Sequence, residues 1–187
     1  MSDLQKRISA AAQANQANTV RIRRHLHAHP ELSFEETETQ QYLAGQLKAL
    51  GIPFREIAGT GLLAEVKGEQ GSGPVVALRA DIDALPIQEA NEVPYRSQNE
   101  GVMHACGHDV HSSSLLGTAA ILNEVKSHFA GSVRLLFQPG EEKLPGGATL
   151  MIKDGALKNP TPTAIFGQHV HPPLPAGTVG FRPGIYM

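Results

Sequence analysis

The sequence is poor in the features that mark disulfide-rich, membrane-spanning or nucleic-acid-binding proteins. It has one cysteine, Cys106, in 187 residues, so no internal disulfide can form and a reducing compartment is expected. Its 16 basic and 18 acidic residues nearly cancel and form no long run of one sign. No segment is apolar for long enough to cross a bilayer, and the polar N-terminus lacks the apolar core of a signal peptide. We therefore expect a cytoplasmic protein with no nucleic-acid partner and no membrane partner.

What remains is the composition of a folded domain with an unusual number of histidines. Hydrophobic residues make up 41% of the chain and charged residues 18%, which is typical of globular proteins. A length of 187 residues suggests one domain, or one domain and a fragment, and is enough to bury a sizeable core. Most of the nine histidines fall in three clusters: His25, His27 and His29; His104, His108 and His111; and His169 and His171.

Short apolar runs of β-forming residues alternate with stretches of helical composition, which indicates an α/β sheet with helices on its faces. Asp81, Glu141, Glu142 and His169 each come shortly after a predicted strand. In open α/β sheets the ligand crevice lies outside the carboxyl ends of the strands, so these side chains are expected to converge on one site. The predicted helices cover residues 4–29, 35–50, 112–125 and 148–153, and the predicted strands cover 54–58, 62–66, 75–78, 133–137 and 164–166.

The segment MHACGHDVH, at residues 103–111, is the strongest candidate for chemistry. Thiolate and imidazole are good ligands for zinc and other borderline divalent metals. Cys106 and His108 are separated by one glycine, which lets both side chains approach a common point. An isolated cysteine is more often a small buried apolar residue. The three histidines and the aspartate in the same segment make a metal site the better interpretation.

A pair of carboxylates, Glu141 and Glu142, follows the predicted strand 133–137 in the segment QPGEEK. Such a pair can divide the work of hydrolysis, because one carboxylate can bind a metal while its neighbour accepts a proton from water. The alternative is a solvated acidic turn. The position of the pair after an apolar strand weakens that alternative without removing it.

Two further segments add candidates whose roles the residues alone leave open. Asp81, in LRADIDALP, emerges where a buried strand ends and could orient a ligand or bridge two cations, although a structural turn explains it equally well. In GQHVHP, either His169 or His171 could bind a metal, and the alternative for each is a packed histidine. The N-terminal histidines have i, i+2, i+4 spacing on a predicted helix and so point to different faces, which favours packing and capping roles.

In chain order, these segments resemble the metal-dependent amidohydrolase family that contains hippurate hydrolase, N-acetyldiaminopimelate deacetylase and the plant auxin-conjugate hydrolases. That family is related to the wider aminoacylase and carboxypeptidase-like metallopeptidases. The resemblance covers nearly the whole chain from Arg23 onward and rests on RRHLHAHPELSFEE, LRADIDALPIQE, MHACGHDVHSSSLLG, FQPGEEKLPGGATLMIKDGAL and FGQHVHPPLPAGTVG. It implies a zinc-peptidase-like catalytic domain: a three-layer sandwich with a mostly parallel sheet and helices on both faces.

The same resemblance implies a role for each candidate residue. The metal ligands are expected to be Cys106, His108, Glu142 and His169, with two divalent ions in a complete site. Manganese and zinc are the first expectation, and cobalt and nickel also suit this ligand set. The two ions would activate a water that attacks the amide of a small N-acyl amino acid.

Glu141 resembles the general base, which takes a proton from the water and passes it to the leaving amine. Asp81 resembles the catalytic aspartate that orients a ligand. Family members are roughly twice this length, which fits two domains by the usual domain-size range. Residues 1–187 are therefore expected to be the N-terminal part of the catalytic domain, with the lid or dimerisation domain and the C-terminal catalytic part absent.

The full-length protein is expected to form a homodimer or tetramer through that lid. Two alternatives to an active amidohydrolase stay open at this point. One is a metal-binding fragment without turnover, because a further histidine ligand and the lid are missing. The other is a cysteine hydrolase that uses Cys106 with a histidine and therefore needs a reactive thiolate.

Overall fold

Helices and strands alternate along the chain in the computed structural model, which describes residues 1–181 and 183–184. The predicted order of elements is confirmed, and the largest difference is that the third helix begins at His108 rather than at residue 112. The helices are α1 (Asp3–Ala28), α2 (Thr37–Ala49), α3 (His108–Glu124) and α4 (Gly147–Lys153), with a 3₁₀ turn at Lys126–His128. The strands are β1 (Phe54–Ile57), β2 (Gly61–Lys67), β3 (Val75–Asp81), β4 (Ser132–Gln138) and β5 (Ala164–Gly167).

Helix α1 shows how local signals set the ends of an element. At its start, the Ser2 hydroxyl oxygen accepts the N–H of Gln5 (3.2 Å) and the Gln5 side chain accepts the N–H of Ser2 (2.7 Å), which forms a capping box. The helix ends at Ala28, two residues before Pro30, because a proline disfavours helical conformation in the residue before it. No described helix combines the length and apolar character that crossing a bilayer requires.

The five strands form one sheet in the order β1-β2-β4-β3-β5. Strand β3 pairs in parallel with β4 and β5, whereas β2 pairs in antiparallel with β1 and β4. The expected α/β class and mostly parallel sheet are confirmed: the sheet is mixed only because β2 runs antiparallel to its neighbours, while β1, β4, β3 and β5 run in one direction. The short link 58–60 allows only a hairpin between β1 and β2, whereas the long connection from β3 to β4 contains α3 and permits a parallel crossover.

Helices cover both faces of the sheet, as expected for three layers. One face packs against α1, α2 and α3, and Leu135 and Phe137 of β4 lie in this larger core. The opposite face packs against α4, where Leu136 of β4 contacts a smaller core that includes Met151. Successive residues of a strand point to opposite faces, so β4 contributes to both cores.

Strand β5 is at the edge of the sheet in the part of the chain that the structure describes. There it pairs with β3 alone, and its residues Ile165 and Phe166 are 53% and 61% exposed. An exposed edge with apolar side chains is a surface on which another strand readily pairs unless something covers it. The edge strand β5 is the direct neighbour of β3, the strand that ends at Asp81.

Candidate metal centre

The carboxyl ends of β3 and β4 meet the start of α3. Asp81 ends β3 and lies opposite the last residue of β4. Gly107, which precedes α3, has a φ of 83°, a left-handed conformation that favours glycine. A side chain at this position would also collide with Val170. The glycine therefore lets the chain turn sharply between Cys106 and His108, and both residues join one cluster.

His108 is the central residue of this cluster. It is 1% exposed, and its Nδ1 donates to the backbone carbonyl (2.9 Å) and to Oδ1 (3.0 Å) of Asp83. Its Nε2 is buried without a hydrogen-bond partner among the described residues. This atom lies 3.7 Å from Asp81 Oδ2 and 3.8 Å from Glu142 Oε1. An imidazole that is oriented by a carboxylate at one nitrogen and offers the other to further carboxylates is typical of a metal-binding histidine.

Three groups of ligand-type side chains overlap at His108. Within each group, one ligand atom from every residue lies within 4.8 Å of the others. The groups found among the described residues are Cys106, His108 and His169; His108, Glu141 and Glu142; and Asp81, His108 and His111. The structure therefore brings together all six predicted site residues, while His171 belongs to none of these groups. His169 donates from Nδ1 to the Val170 carbonyl (2.7 Å) and holds Nε2 3.5 Å from Cys106 Sγ.

The charges around the cluster would favour a bound cation. Burial lowers the pKa of His108, but the hydrogen bond to Asp83 and the charges of Asp81 and Glu142 outweigh it and raise that pKa. Burial and the neighbouring Glu142 raise the pKa of the Cys106 thiol to about 12. A divalent cation among these groups would offset the carboxylate charge and favour the thiolate. A cysteine hydrolase instead needs a positive environment around its thiol, so these surroundings argue against that alternative.

Asp81 is held in place by two side chains. Its Oδ1 accepts a hydrogen bond from His111 Nδ1 (2.5 Å), and its Oδ2 lies 2.8 Å from Arg79 Nη1. His111 Nε2 accepts the N–H of Val170 (3.0 Å), so both nitrogens of this ring are used. Burial raises the pKa of Asp81, but the His111 hydrogen bond and the nearby His108 and Arg79 outweigh it and lower the pKa to about 2. Asp81 is thus an oriented carboxylate beside His108, and its role toward a ligand stays a prediction.

Asp83 is a residue of the site that sequence reasoning missed. Beyond its two bonds with His108, its Oδ2 accepts the Ser33 hydroxyl (2.6 Å) and the N–H of Glu142 (2.9 Å). Burial raises the pKa of Asp83, but the hydrogen bonds from His108, Glu142 and Ser33 outweigh it and lower the pKa. The spacing from Asp81 was the available signal, because residues two apart in extended backbone point to the same side.

The N-terminal histidines form a different kind of cluster. His27 is buried, with Nδ1 2.8 Å from Asp109 Oδ2 and Nε2 3.0 Å from Glu89 Oε1. The hydrogen bond with Asp109 and the one with Glu89 raise the pKa of His27 against the effect of burial. His25 lies on another face and stacks on Tyr42, with ring centroids 3.9 Å apart. These contacts agree with the predicted packing role.

A cleft of about 530 Å³ lies beside the candidate metal ligands. Cys106 and His169 contribute to its lining, together with His27 and with Val93 and Tyr95 from the segment after β3. This volume is in the range of small-molecule sites, which combine apolar walls with a few polar groups. The cleft can therefore receive a small molecule next to the cluster around His108.

Known proteins match this chain along most of its length. The family model described as peptidase family M20/M25/M40 matches residues 77–184. N-acetylcysteine deacetylase of Bacillus subtilis is 45% identical over 182 residues, which are 95% of this chain and 46% of that protein. N-acyl-L-amino acid amidohydrolase of Geobacillus stearothermophilus is 45% identical over 166 residues, which are 88% of this chain and 44% of that protein.

A solved structure is similar to this chain in fold as well as in sequence. The YXEP protein of Bacillus subtilis, a dinuclear metal binding peptidase from the M20 family, matches with a TM-score of 0.86 and 45% identity. The match covers 92% of this chain and 48% of that chain, and this chain spans about half the length of the curated relatives it matches. The resemblance to metal-dependent amidohydrolases is thus confirmed. Because the family model matches more than half of the residues of this chain, the chain belongs to peptidase family M20/M25/M40.

Proposed function

We propose that this chain is part of a metal-dependent amidohydrolase that cleaves the amide bond of N-acylated amino acids. The observation that carries the proposal is the buried Nε2 of His108, which has no hydrogen-bond partner in the described part of the chain and lies among carboxylate, thiol and imidazole groups. The substrate class is supported by the names of two similar proteins, an N-acetylcysteine deacetylase and an N-acyl-L-amino acid amidohydrolase. The adjoining cleft is large enough for a substrate of that size.

The proposed metal ligands are Cys106, His108, Glu142 and His169. Thiolate, imidazole and carboxylate together suit manganese, zinc, cobalt or nickel. Both histidines have Nδ1 engaged with an oxygen atom, which leaves Nε2 for a metal. A site for two ions is supported by the similar dinuclear peptidase.

Bound divalent cations would supply Lewis acidity and lower the pKa of a water molecule. We assign the general base to Glu141, which is exposed to solvent and adjoins Glu142 in the cluster. Its carboxylate would accept a proton from the attacking water and deliver it to the leaving amine. Asp81 would orient a ligand from its fixed position between His111 and His108, and Asp83 would keep His108 in the tautomer with a free Nε2.

We further propose that residues 1–187 are the N-terminal part of the catalytic domain of a longer protein. The coverage of about half of the relatives and the exposed edge of β5 support this division. Four ligands complete one tetrahedral site but are few for two ions with an open position. The remaining part would therefore supply a further ligand, and the lid or dimerisation domain would assemble the whole protein into a homodimer or tetramer.

An assay of two purified proteins tests the proposal: the 187-residue chain and a longer gene product that contains it. Both are given N-acetyl and N-benzoyl amino acids with saturating Mn²⁺, and samples treated with a chelator serve as the control. We expect hydrolysis by the longer protein, its loss on chelation, and little or none by the short chain. Comparable activity in both proteins would mean that the ligands described above suffice. A longer protein that binds metal but hydrolyses no member of the panel would contradict the substrate class.

A further inference from the structure

The segment PELSFEE, between α1 and α2, supplies no ligand to the proposed centre, yet it lies against the loop that carries Glu141 and Glu142. Its residue Glu36 is completely buried, with 0% exposure. Burying a carboxylate is costly unless hydrogen bonds compensate for the lost water. The hydrogen-bond partners of Glu36 therefore indicate the role of its buried carboxylate.

Glu36 does not cap its own helix. It occupies the position before α2, where an acidic side chain would ordinarily accept the free N–H groups of the first turn, but it makes no such bond. Glu31 does this instead, because its two carboxylate oxygens accept the N–H groups of Glu38 (3.1 Å) and Thr39 (2.7 Å). The carboxylate of Glu36 is left for a different task.

That carboxylate binds the start of the Glu141–Glu142 loop. Its Oε1 accepts the N–H of Gly140 (2.8 Å), and its Oε2 accepts the hydroxyl of Thr60. The Gly140 carbonyl accepts the N–H of Gly147 at the start of α4 (3.0 Å). The backbone of the residue immediately before Glu141 is thus held on both sides.

The ring of Phe34 closes the space over the same residue. Phe34 has a φ of 68°, a left-handed conformation that is uncommon for a bulky side chain. A side chain at Gly140, which itself has a φ of 54°, would collide with this ring. The strained backbone at Phe34 therefore coincides with close contact between the segment and the loop.

A second buried carboxylate holds the far side of Glu141. Asp83 Oδ2 accepts the N–H of Glu142 (2.9 Å) and also the hydroxyl of Ser33, from the same segment as Glu36 (2.6 Å). The backbone N–H groups of Gly140 and Glu142 are therefore both fixed by buried carboxylates. Glu141 lies between these two fixed points.

We propose that Glu36 is a positioning residue, whose buried carboxylate fixes Gly140 and thereby the direction in which Glu141 and Glu142 leave the loop. The inference rests on the proposed function, which makes these two residues a base and a ligand. Glu141 and Glu142 are both exposed and lack the burial that orients His108, so the orientation of their side chains depends on the backbone of the loop. A displacement of about 1 Å in such groups can cost roughly 100-fold in rate.

The experiment compares variants of the longer protein: Glu36→Ala, Glu36→Gln and, as a matched control, Glu35→Gln at the exposed neighbouring position. We expect Glu36→Ala to weaken Mn²⁺ binding and to lower kcat by about 10–100-fold each, the range for residues that support a metal ligand, with KM changed little. Glu36→Gln should recover most of both, because its amide oxygen can accept from Gly140 and its NH₂ can donate to Thr60. Glu35→Gln should match the wild type.

The dissociation constant of Mn²⁺, measured by competition with a chelator, decides the matter separately from turnover. If Glu36→Ala lowers only the Tm and binds Mn²⁺ as tightly as the wild type, Glu36 is merely structural and the proposal is overturned. If no protein hydrolyses the substrate panel, but Glu36→Ala loses Mn²⁺ affinity and Glu36→Gln recovers it, positioning stands and the amidohydrolase proposal fails.

A second variant covers the case in which Glu36→Ala does not fold. Thr60→Val removes the hydroxyl that holds Oε2 of Glu36 while keeping the shape of the side chain. We expect it to weaken Mn²⁺ binding in the same direction and by a smaller factor. An unchanged dissociation constant in a folded Thr60→Val protein, measured with the same chelator, would overturn the proposal.

Discussion

Two histidine clusters that look alike in the sequence differ in the hydrogen bonding of their ring nitrogens. Residues 25–29 and residues 104–111 each contain three histidines. In the first cluster, both ring nitrogens of His27 are bonded to buried carboxylates. In the second, Asp83 holds one nitrogen of His108 and the other is buried without a partner among the described residues. Between His27 and His108, a free ring nitrogen beside carboxylate and thiol groups, rather than the number of nearby histidines, distinguishes the candidate ligand from the structural side chain.

The comparison predicts that substitutions near His108 change catalysis, whereas substitutions at His27 change stability. The largest effect should come from Glu141→Gln in the longer protein. The substitution keeps the size of the side chain but removes the proton acceptor beside the His108 cluster. We expect kcat to fall by about 10²–10⁴-fold, the range for losing general acid–base catalysis. Metal content, measured by elemental analysis, should persist. Near-normal turnover would move the base elsewhere, and loss of the metals would make Glu141 a ligand.

The next largest effect should come from His27→Ala, which leaves Asp109 and Glu89 buried without their shared partner. Removing one partner from a buried ionic network costs about 3–5 kcal/mol in free energy of unfolding. Denaturant titration measures this loss, and the exposed His29→Ala, in the same cluster, serves as the control with a change within about 0.5 kcal/mol. Metal content per folded molecule should stay unchanged. If His27→Ala lost metal and kept its stability, the contrast between the two clusters would be wrong.

Cys106→Ala tests the comparison at the cluster around His108. As a proposed ligand, Cys106 should matter for the dissociation constant of Mn²⁺ at least as much as residues that only support ligands, which contribute about 10–100-fold. Elemental analysis of the purified protein should show a lower metal content than in His27→Ala, the matched control from the other cluster. Unchanged metal stoichiometry in a folded Cys106→Ala protein would remove it from the ligand set.

The smallest effect should be the pH dependence of the His27 contribution. Its pKa is raised from 6.5, so the stabilisation is complete below pH 6.5 and is lost as pH rises through the higher folded value. Asp109 and Glu89 titrate below this window because their pKa values are lowered. The difference in free energy of unfolding between the wild type and His27→Gln should shrink between pH 6 and 9, by about 1.4 kcal/mol for each unit of the rise in pKa. A constant difference across that range would mean that His27 is neutral in the fold.

The order and type of the elements could be predicted because they depend on local patterns. Apolar runs of the right length located β3 and β4, and Pro30 located the end of α1. The pairing of the strands was less accessible, since the direction of β2 relative to β4 is a tertiary property. The antiparallel direction of β2 was not predicted for that reason.

The candidate site was predictable where its residues follow strands or share a short segment, as Cys106 and His108 do. The residues that hold the site were not, because their partners are distant in sequence. Asp83 bonds to the backbone of Glu142, 59 residues away, and Glu36 to that of Gly140, 104 residues away. No periodicity links such pairs, and a buried carboxylate looks like any surface acid until its partners are known.

If the proposed remaining part of the protein covers the edge of β5, this strand would leave the ribosome well before the residues that cover it. At roughly 5–20 residues per second, a further ~200 residues take on the order of 10–40 seconds to synthesise. Over that interval the nascent chain would display Ile165 and Phe166 along an open sheet edge, to which a neighbouring nascent chain could pair. Completion of translation and misassembly would then compete, and chaperones that bind nascent chains would protect this protein most during that delay.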